Sequence, residues 1–201
     1  MTGHALIVVD IQNDFCPGGA LAVENGDQIL PTVNRLIEES EHVVLTQDWH
    51  PPHHSSFASS HPGKSPFDAV EMAYGPQTLW PDHCVQGSHG ADFHASLQWT
   101  RAQMVVRKGV RSGIDSYSAF FENDRTTPTG LAGYLRECNI SSLTLVGLAT
   151  DFCVAYSALD AVAHGFQVRV RLDACRGIDL NNSMGMMLGQ MKQAGVELLE
   201  E

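Results

Sequence analysis

Short runs of branched apolar residues, each cut off by a polar or turn-forming residue, recur along this chain and leave few choices of fold. Leu6-Ile7-Val8-Val9 stops at Asp10, Val43-Val44-Leu45 stops at Thr46, Met104-Val105-Val106 runs into Arg107 and Lys108, and Leu143-Thr144-Leu145-Val146 stops at Gly147. Unbroken apolar runs of this length suit strands buried on both faces, as in parallel sheets, better than strands with one wet face. Between the first two runs, Ile29, Leu30, Val33, Leu36 and Ile37 recur at helical spacing, so residues 27–39 are expected to form an amphipathic helix. Strand, helix and strand in that order predict a parallel pair with a right-handed crossover. The same reasoning predicts helices over residues 129–138 and 183–194. A third is expected around and after Cys153, with Thr150 or Asp151 as its N-cap and His164-Gly165 as its stop; with Asp151 as the cap, Cys153 falls in the first turn. A strand nearer the sheet edge is expected over residues 166–172, and a short last strand over 196–199. Residues 51–92 are rich in Pro, Gly, Ser and His and read as an extended loop region, which at that length is usually functional.

At 201 residues and 43% hydrophobic content, the chain can bury one sizeable core. We therefore expect a single domain, residues 1–201, with a metal-carrying loop region at about 48–92. The formal charge of −11 argues against nucleic acid or an anionic membrane as partner, because either requires a basic face. A small neutral substrate fits better. The N-terminus lacks a basic region followed by a long apolar segment, and no apolar run approaches membrane-spanning length, so a cytoplasmic protein is expected. Five cysteines, an odd and scattered set, point to reduced thiols rather than a disulfide framework.

The polar residues that end the runs are the candidates for chemistry. In open α/β sheets ligands bind at the C-terminal ends of the strands, which is where Asp10, Lys108 and the turn before Cys153 fall. A carboxylate can take a thiol proton, a cation can stabilise the thiolate, and a helix start offers free N–H groups, so the three together make a cysteine nucleophile activated without histidine. Asp48-x-His50 after the second strand and His83 in Trp80-Pro81-Asp82-His83-Cys84 supply a carboxylate and two imidazoles, a donor set for zinc, iron or manganese. His53 and His54 are also within reach, and the number of protein ligands stays open. Asp14 reads as structural, and the Met-rich segment 183–194 as a packing face.

These segments closely resemble the nicotinamidases of the isochorismatase-like cysteine hydrolase superfamily. The resemblance rests on Asp10-Ile11-Gln12-Asn13-Asp14-Phe15, Asp48-Trp49-His50-Pro51, Trp80-Pro81-x-His83-Cys84, Lys108-Gly109 and Gly147-x-Ala149-Thr150-Asp151-x-Cys153-Val154, in order along nearly the whole chain. It implies a three-layer α/β/α fold around a six-stranded parallel sheet and a catalytic triad of Asp10, Lys108 and Cys153. It further implies a cis peptide at Leu148-Ala149, an oxyanion hole from the N–H groups of Ala149 and Cys153, and a substrate pocket lined by Phe15, Leu21, Trp80 and Tyr117. Asp48, His50 and His83 would hold one divalent metal ion, zinc before iron or manganese. The expected activity is hydrolysis of nicotinamide to nicotinate and ammonia in NAD salvage, with pyrazinamide as a further substrate. A homo-oligomer is compatible with the pattern. The alternatives are another hydrolase or amidase of the superfamily, such as an isochorismatase-type vinyl ether hydrolase, or a non-catalytic binding member.

Overall fold

A computed structural model describes residues 3–200; Met1, Thr2 and Glu201, which the domain expectation includes, lie outside the described residues. In chain order the strands are β1 (Gly3–Val9), β2 (Val43–Asp48), β3 (Ala69–Met72), β4 (Gly75–Thr78), β5 (Met104–Lys108), β6 (Ile140–Leu148), β7 (Gln167–Arg176) and β8 (Glu197–Leu199). The α-helices are α1 (Leu30–Glu39), α2 (Leu131–Glu137), α3 (Ala155–Ala163) and α4 (Ser183–Ala194). Six strands form one sheet in the order β5-β2-β1-β6-β7-β8, and every neighbouring pair is parallel. All six strands therefore deliver their C-terminal ends to one edge.

The apolar runs of β1 and β2 follow from burial on both sheet faces, whereas β5, at the sheet edge, buries Val106 and leaves Val105 40% exposed. In β1, Ala5, Ile7 and Val9 enter one core with Leu131 and Leu135 of α2, Ala155, Ala158 and Ala161 of α3, and Met187 and Met191 of α4. Leu6 and Val8 point the other way, into a second core with Leu30, Val33 and Ile37 of α1. Each fully buried aliphatic side chain contributes about 1.5–3 kcal/mol of transfer free energy, so a polar residue on either face would be costly. The helical layers on the two faces make the α/β/α arrangement that the resemblance implies. At Gly147 the backbone has φ +119, and a Cβ there would sit 2.1 Å from the Val9 carbonyl oxygen, so only glycine lets β6 continue beside β1 at this point.

Three features depart from the sequence reading. The region from 51 to 92 is not structureless: it carries the antiparallel β3–β4 hairpin and two 3-10 turns, Ala58–Ser60 and His89–Ala91. Strand β7 runs four residues past the expected end, and β8 takes the edge position outside it. The helix after β6 opens with a π-helical turn, Thr150–Val154, whose N-cap is the extended Ala149 without a side-chain cap. Asp151 is not the cap, because its carboxylate is used elsewhere. It accepts the backbone N–H groups of Ile178 at 2.9 Å and Asp179 at 2.8 Å and the Ser183 hydroxyl, tying the loop before α4 to the turn that carries Cys153. Among the described residues no helix is long and apolar enough to cross a membrane.

Candidate active site and metal centre

Four adjacent strands, β5, β2, β1 and β6, place Lys108, Asp48, Asp10 and the Leu148-Ala149 turn side by side at the C-terminal sheet edge. Asp48 and Lys108 are direct register partners across β2 and β5. Lys108 is 1% exposed and Asp10 fully buried. The Lys108 ammonium lies 2.8 Å from Asp10 Oδ2 and 2.7 Å from Asp48 Oδ1, and donates to the Ser116 carbonyl at 2.9 Å and to Cys153 Sγ at 3.4 Å. One cation thus bridges both carboxylates and the thiol. Asp10 leaves β1 with φ +47, and its Oδ1 accepts the Thr46 hydroxyl at 2.5 Å. The peptide Leu148-Ala149 is cis, as the resemblance implies.

The electrostatics differ from a standing thiolate at a helix start. Burial pushes the Cys153 thiol well above its ordinary range, more than the Lys108 ammonium pulls it down, and the Asp10 and Asp48 carboxylates push it further up. The balance favours the protonated thiol, with the Lys108 ammonium as the group that hydrogen-bonds the sulfur. Burial also raises the Asp10 carboxyl, against the pull of Lys108. Burial acts to neutralise Lys108 as well, but the two carboxylates outweigh it and hold the lysine well above its ordinary value, as a permanent cation. For Asp48 burial is again the largest single influence, and the Lys108 ammonium is the strongest of the neighbours that overcome it and keep the group ionised.

Asp48, His50 and His83 form a buried group whose donor atoms all lie within 4.8 Å of one another. His50 Nδ1 faces the Gly109 carbonyl at 3.1 Å and His83 Nδ1 the Pro81 carbonyl at 2.8 Å. Each Nδ1 must therefore carry the proton, which leaves both Nε2 lone pairs free. These Nε2 atoms lie 3.2 and 3.5 Å from Asp48 Oδ2, and that of His50 is buried without a hydrogen-bond partner. A buried, unpartnered imidazole nitrogen beside an ionised carboxylate and a second imidazole fits a divalent cation. His53 is exposed, is an αL residue with φ +62 and is not among the residues of the group. His54 is buried beside His50, yet its Nε2 donates to the carbonyls of Arg111 at 2.8 Å and Ile114 at 3.2 Å, and its Nδ1 receives the Ser56 N–H at 3.2 Å. With His50 and Asp115 it makes a second buried group whose donor atoms lie within 4.8 Å of one another.

Glycine is required next to this group. Gly109 has φ +64, and a Cβ there would sit 2.4 Å from His50 Cε1 and 2.6 Å from Nδ1. We expect Gly109→Ala to turn the His50 ring and weaken metal affinity about 10–100-fold, the usual penalty for disturbing a ligand's outer partner. Titration against a competing chelator measures this, and unchanged affinity would mean that His50 is not held by Gly109.

Trp80, Tyr117 and Phe152 form an aromatic cluster beside Cys153, with ring centroids 4.9 Å apart for Trp80–Phe152, 5.6 Å for Tyr117–Phe152 and 6.2 Å for Trp80–Tyr117. Phe15 meets the His83 ring edge-on at 5.5 Å. Leu21 packs in the same core as Phe15, Trp80, Leu148 and Ala149. Asp14 is structural as expected, accepting the N–H groups of Cys84 at 2.7 Å and Ala20 at 3.1 Å and so fixing the segment that follows His83. The sequence reading missed Thr46, Ser116, Phe152 and Gln12. The last clamps the Asp48 backbone from both sides, donating to its carbonyl at 2.8 Å and accepting its N–H at 2.7 Å. Of the four, Gln12 and Phe152 lay inside quoted motifs, Phe152 at the unspecified position before Cys153.

The family model for the isochorismatase domain matches residues 4–201. This chain belongs to the isochorismatase family. Within it, the chain is 53% identical to a nicotinamidase of Acinetobacter baylyi over 96% of its own length and 90% of that protein. It is 47% identical to the Escherichia coli nicotinamidase, over 90% and 86% of the two lengths. Among solved structures, a nicotinamidase/pyrazinamidase of Acinetobacter baumanii superposes with a TM-score of 0.97 at 55% identity, covering 99% of this chain and 96% of the other. A Pyrococcus horikoshii pyrazinamidase solved with zinc gives a TM-score of 0.80 at 36% identity over 99% of both chains. A relative from L. infantum solved with nicotinate gives 0.86 at 39% identity, over 98% and 92%.

Proposed function

We infer that this isochorismatase-family chain hydrolyses nicotinamide to nicotinate and ammonia through a thioester on Cys153, and accepts pyrazinamide as well. The observation that carries the reading is the Lys108 ammonium in contact with Asp10, Asp48 and the Cys153 sulfur at once, which joins a nucleophile and base to a metal-type donor set. The nicotinamidase relatives at 53% and 47% identity support the choice of amide.

In this mechanism Asp10 takes the thiol proton, and Lys108 neutralises the sulfur as it becomes a thiolate. The sulfur attacks the carboxamide carbon, and the N–H groups of Ala149 and Cys153 receive the developing oxyanion. Collapse breaks the C–N bond while Asp10 returns its proton to the departing nitrogen, releasing ammonia. Asp10 then deprotonates a water that attacks the thioester carbonyl. Nicotinate leaves, and the proton held by Asp10 goes back to the thiolate. Trp80, Tyr117, Phe15 and Leu21 enclose the ring. Asp48, His50 and His83 would hold one divalent ion, for which zinc is our assignment. When bound, that ion supplies a Lewis-acid anchor for a heteroaromatic nitrogen, so that the amide is presented in one orientation. Lys108 and Asp48 couple the two halves, since the same ammonium that faces the thiol also fixes one oxygen of the metal-type carboxylate.

The test is ammonia release from nicotinamide by the zinc-loaded chain. Turnover with nicotinate as the other product supports the reading, and no release overturns it. A pH profile tests the base. A carboxyl raised by burial must still be ionised to act, so kcat/KM falls as pH drops through that raised value. The acid limb should therefore lie above 3.8, the ordinary aspartate value. With metal content held constant, a limb at or below 3.8 would assign the base elsewhere.

A further inference from the structure

The β3–β4 hairpin stands outside the main sheet, and Gln77 is the only residue of its two strands that is fully buried. That side chain is a polar hub. Its Nε2 donates to Asp115 Oδ2 at 2.7 Å, to the Tyr117 hydroxyl at 3.0 Å and to the Thr78 carbonyl at 2.7 Å. Its Oε1 accepts the Asn123 amide and the Tyr74 hydroxyl, both at 3.2 Å. An amide offers two N–H bonds and two lone pairs, so every valence of Gln77 is engaged, with one N–H shared between two of the three acceptors. Asn123 completes the grip by accepting the Tyr117 backbone N–H at 3.0 Å.

What this grip holds is the segment 115–117, and each of its residues faces the active site. Asp115 Oδ1 lies 4.0 Å from His50 Nε2, and the Ser116 carbonyl accepts the Lys108 ammonium. The Tyr117 ring packs on Phe152, next to Cys153, and its hydroxyl also accepts the Trp80 indole N–H at 3.2 Å. Asp115 is buried, and no Lys or Arg pairs with it among the described residues, so the Gln77 amide is one of the few donors that satisfy it. Losing that amide would leave the carboxylate short of a donor and the Tyr117 hydroxyl free to turn.

We propose that Gln77 is a positioning residue that fixes Tyr117, the wall of the amide site, in place and thereby sets substrate affinity rather than the chemical step. The proposal rests on the functional reading above. It assigns the hairpin a role that none of the hairpin's exposed residues could perform.

The near-isosteric Gln77→Met removes the hydrogen bonds and keeps the volume. In the zinc-loaded chain it should raise KM for nicotinamide about tenfold with kcat within about threefold of wild type. Tyr117→Phe, which removes one hydroxyl and leaves the ring, should reproduce much of that rise. Adding Gln77→Met to it should then cost less than about a further twofold, because the two changes cut one connection. A readout independent of the amide is alkylation of Cys153 by iodoacetamide, followed by mass spectrometry. Cys153 is 6% exposed, and a loosened wall should speed its modification about tenfold. The proposal is overturned if KM and alkylation both stay within twofold, if kcat falls with KM unchanged, or if the two substitutions multiply. Should Gln77→Met fail to fold, an unchanged KM in Tyr117→Phe overturns it and a raised one supports it. A wild-type chain inactive on nicotinamide would overturn the functional reading, and the alkylation comparison would still decide the role of Gln77.

Discussion

Cys153→Ala should abolish ammonia release, with a loss on the order of 10⁴-fold or more, while the chain stays folded and keeps its metal. In the proposed mechanism the sulfur is the atom that forms the covalent bond, and a methyl group cannot replace it. Among the described residues no other cysteine is hydrogen-bonded to Lys108 or Asp10, and Cys84, the one whose thiol feels both charges, is pushed well up by burial. The loss in stability should be small, about 1 kcal/mol, because a thiol and a methyl differ by little buried surface. Asp10 keeps Lys108 and Thr46, so no charge is orphaned. Ammonia release and denaturant unfolding measure the two quantities separately. Near-native turnover would remove Cys153 from the mechanism, and a collapse in stability would make it a core residue first.

Lys108→Met is expected to damage both quantities. The ammonium is the only Lys or Arg cation touching Asp10 and Asp48 among the described residues, and the only one that touches Asp10; both carboxylates are buried. Removing one partner of a buried ion pair costs about 3–5 kcal/mol, because the charge left behind has neither water nor a counter-ion. The pH dependence has a definite sign. In the variant Asp10 has a folded pKa raised further above its unfolded value, so the folded state holds the extra proton. The stability deficit therefore grows as pH rises through that raised value and shrinks below it. Turnover should be lost at all pH values, since the thiolate has no neutralising cation. Unfolding midpoints at two pH values and an activity assay check both parts. A deficit that does not change with pH would mean that Asp10 is not the carboxylate left unpaired.

Much of the fold could be read from the chain because buried parallel strands have a distinctive pattern. Residues 6–9 and 43–45 are apolar because both sheet faces bury them, as are Leu143, Leu145 and Val146, whereas the run 104–106 lies on the edge strand and leaves Val105 exposed; the helix at 30–39 had to carry one apolar stripe. The hairpin at 69–78 was hidden because its strands are mostly exposed and contain Gly75 and Pro76, so they lack both the alternation and the composition that signal a strand. Asp151 was misread as a helix cap because its acceptors are used by residues 178–183, which are distant in sequence. No local rule reports such a partner.

By itself, the sequence determined which residues end the buried strands and that a carboxylate, a lysine and a cysteine were among them. It also placed Asp48, His50 and His83 as a donor set, through residue types alone. Only the tertiary structure decided that β5, β2, β1 and β6 are neighbours, which puts one ammonium against two carboxylates and a sulfur. It also decided the protonation state of that sulfur. A cysteine at a helix start reads as a thiolate, whereas Cys153 beside two buried carboxylates rests as a thiol and depends on Asp10. The physical reason is that a spacing pattern records burial and periodicity along the chain. The balance between desolvation and a counter-charge depends on distances between strands that lie far apart in sequence.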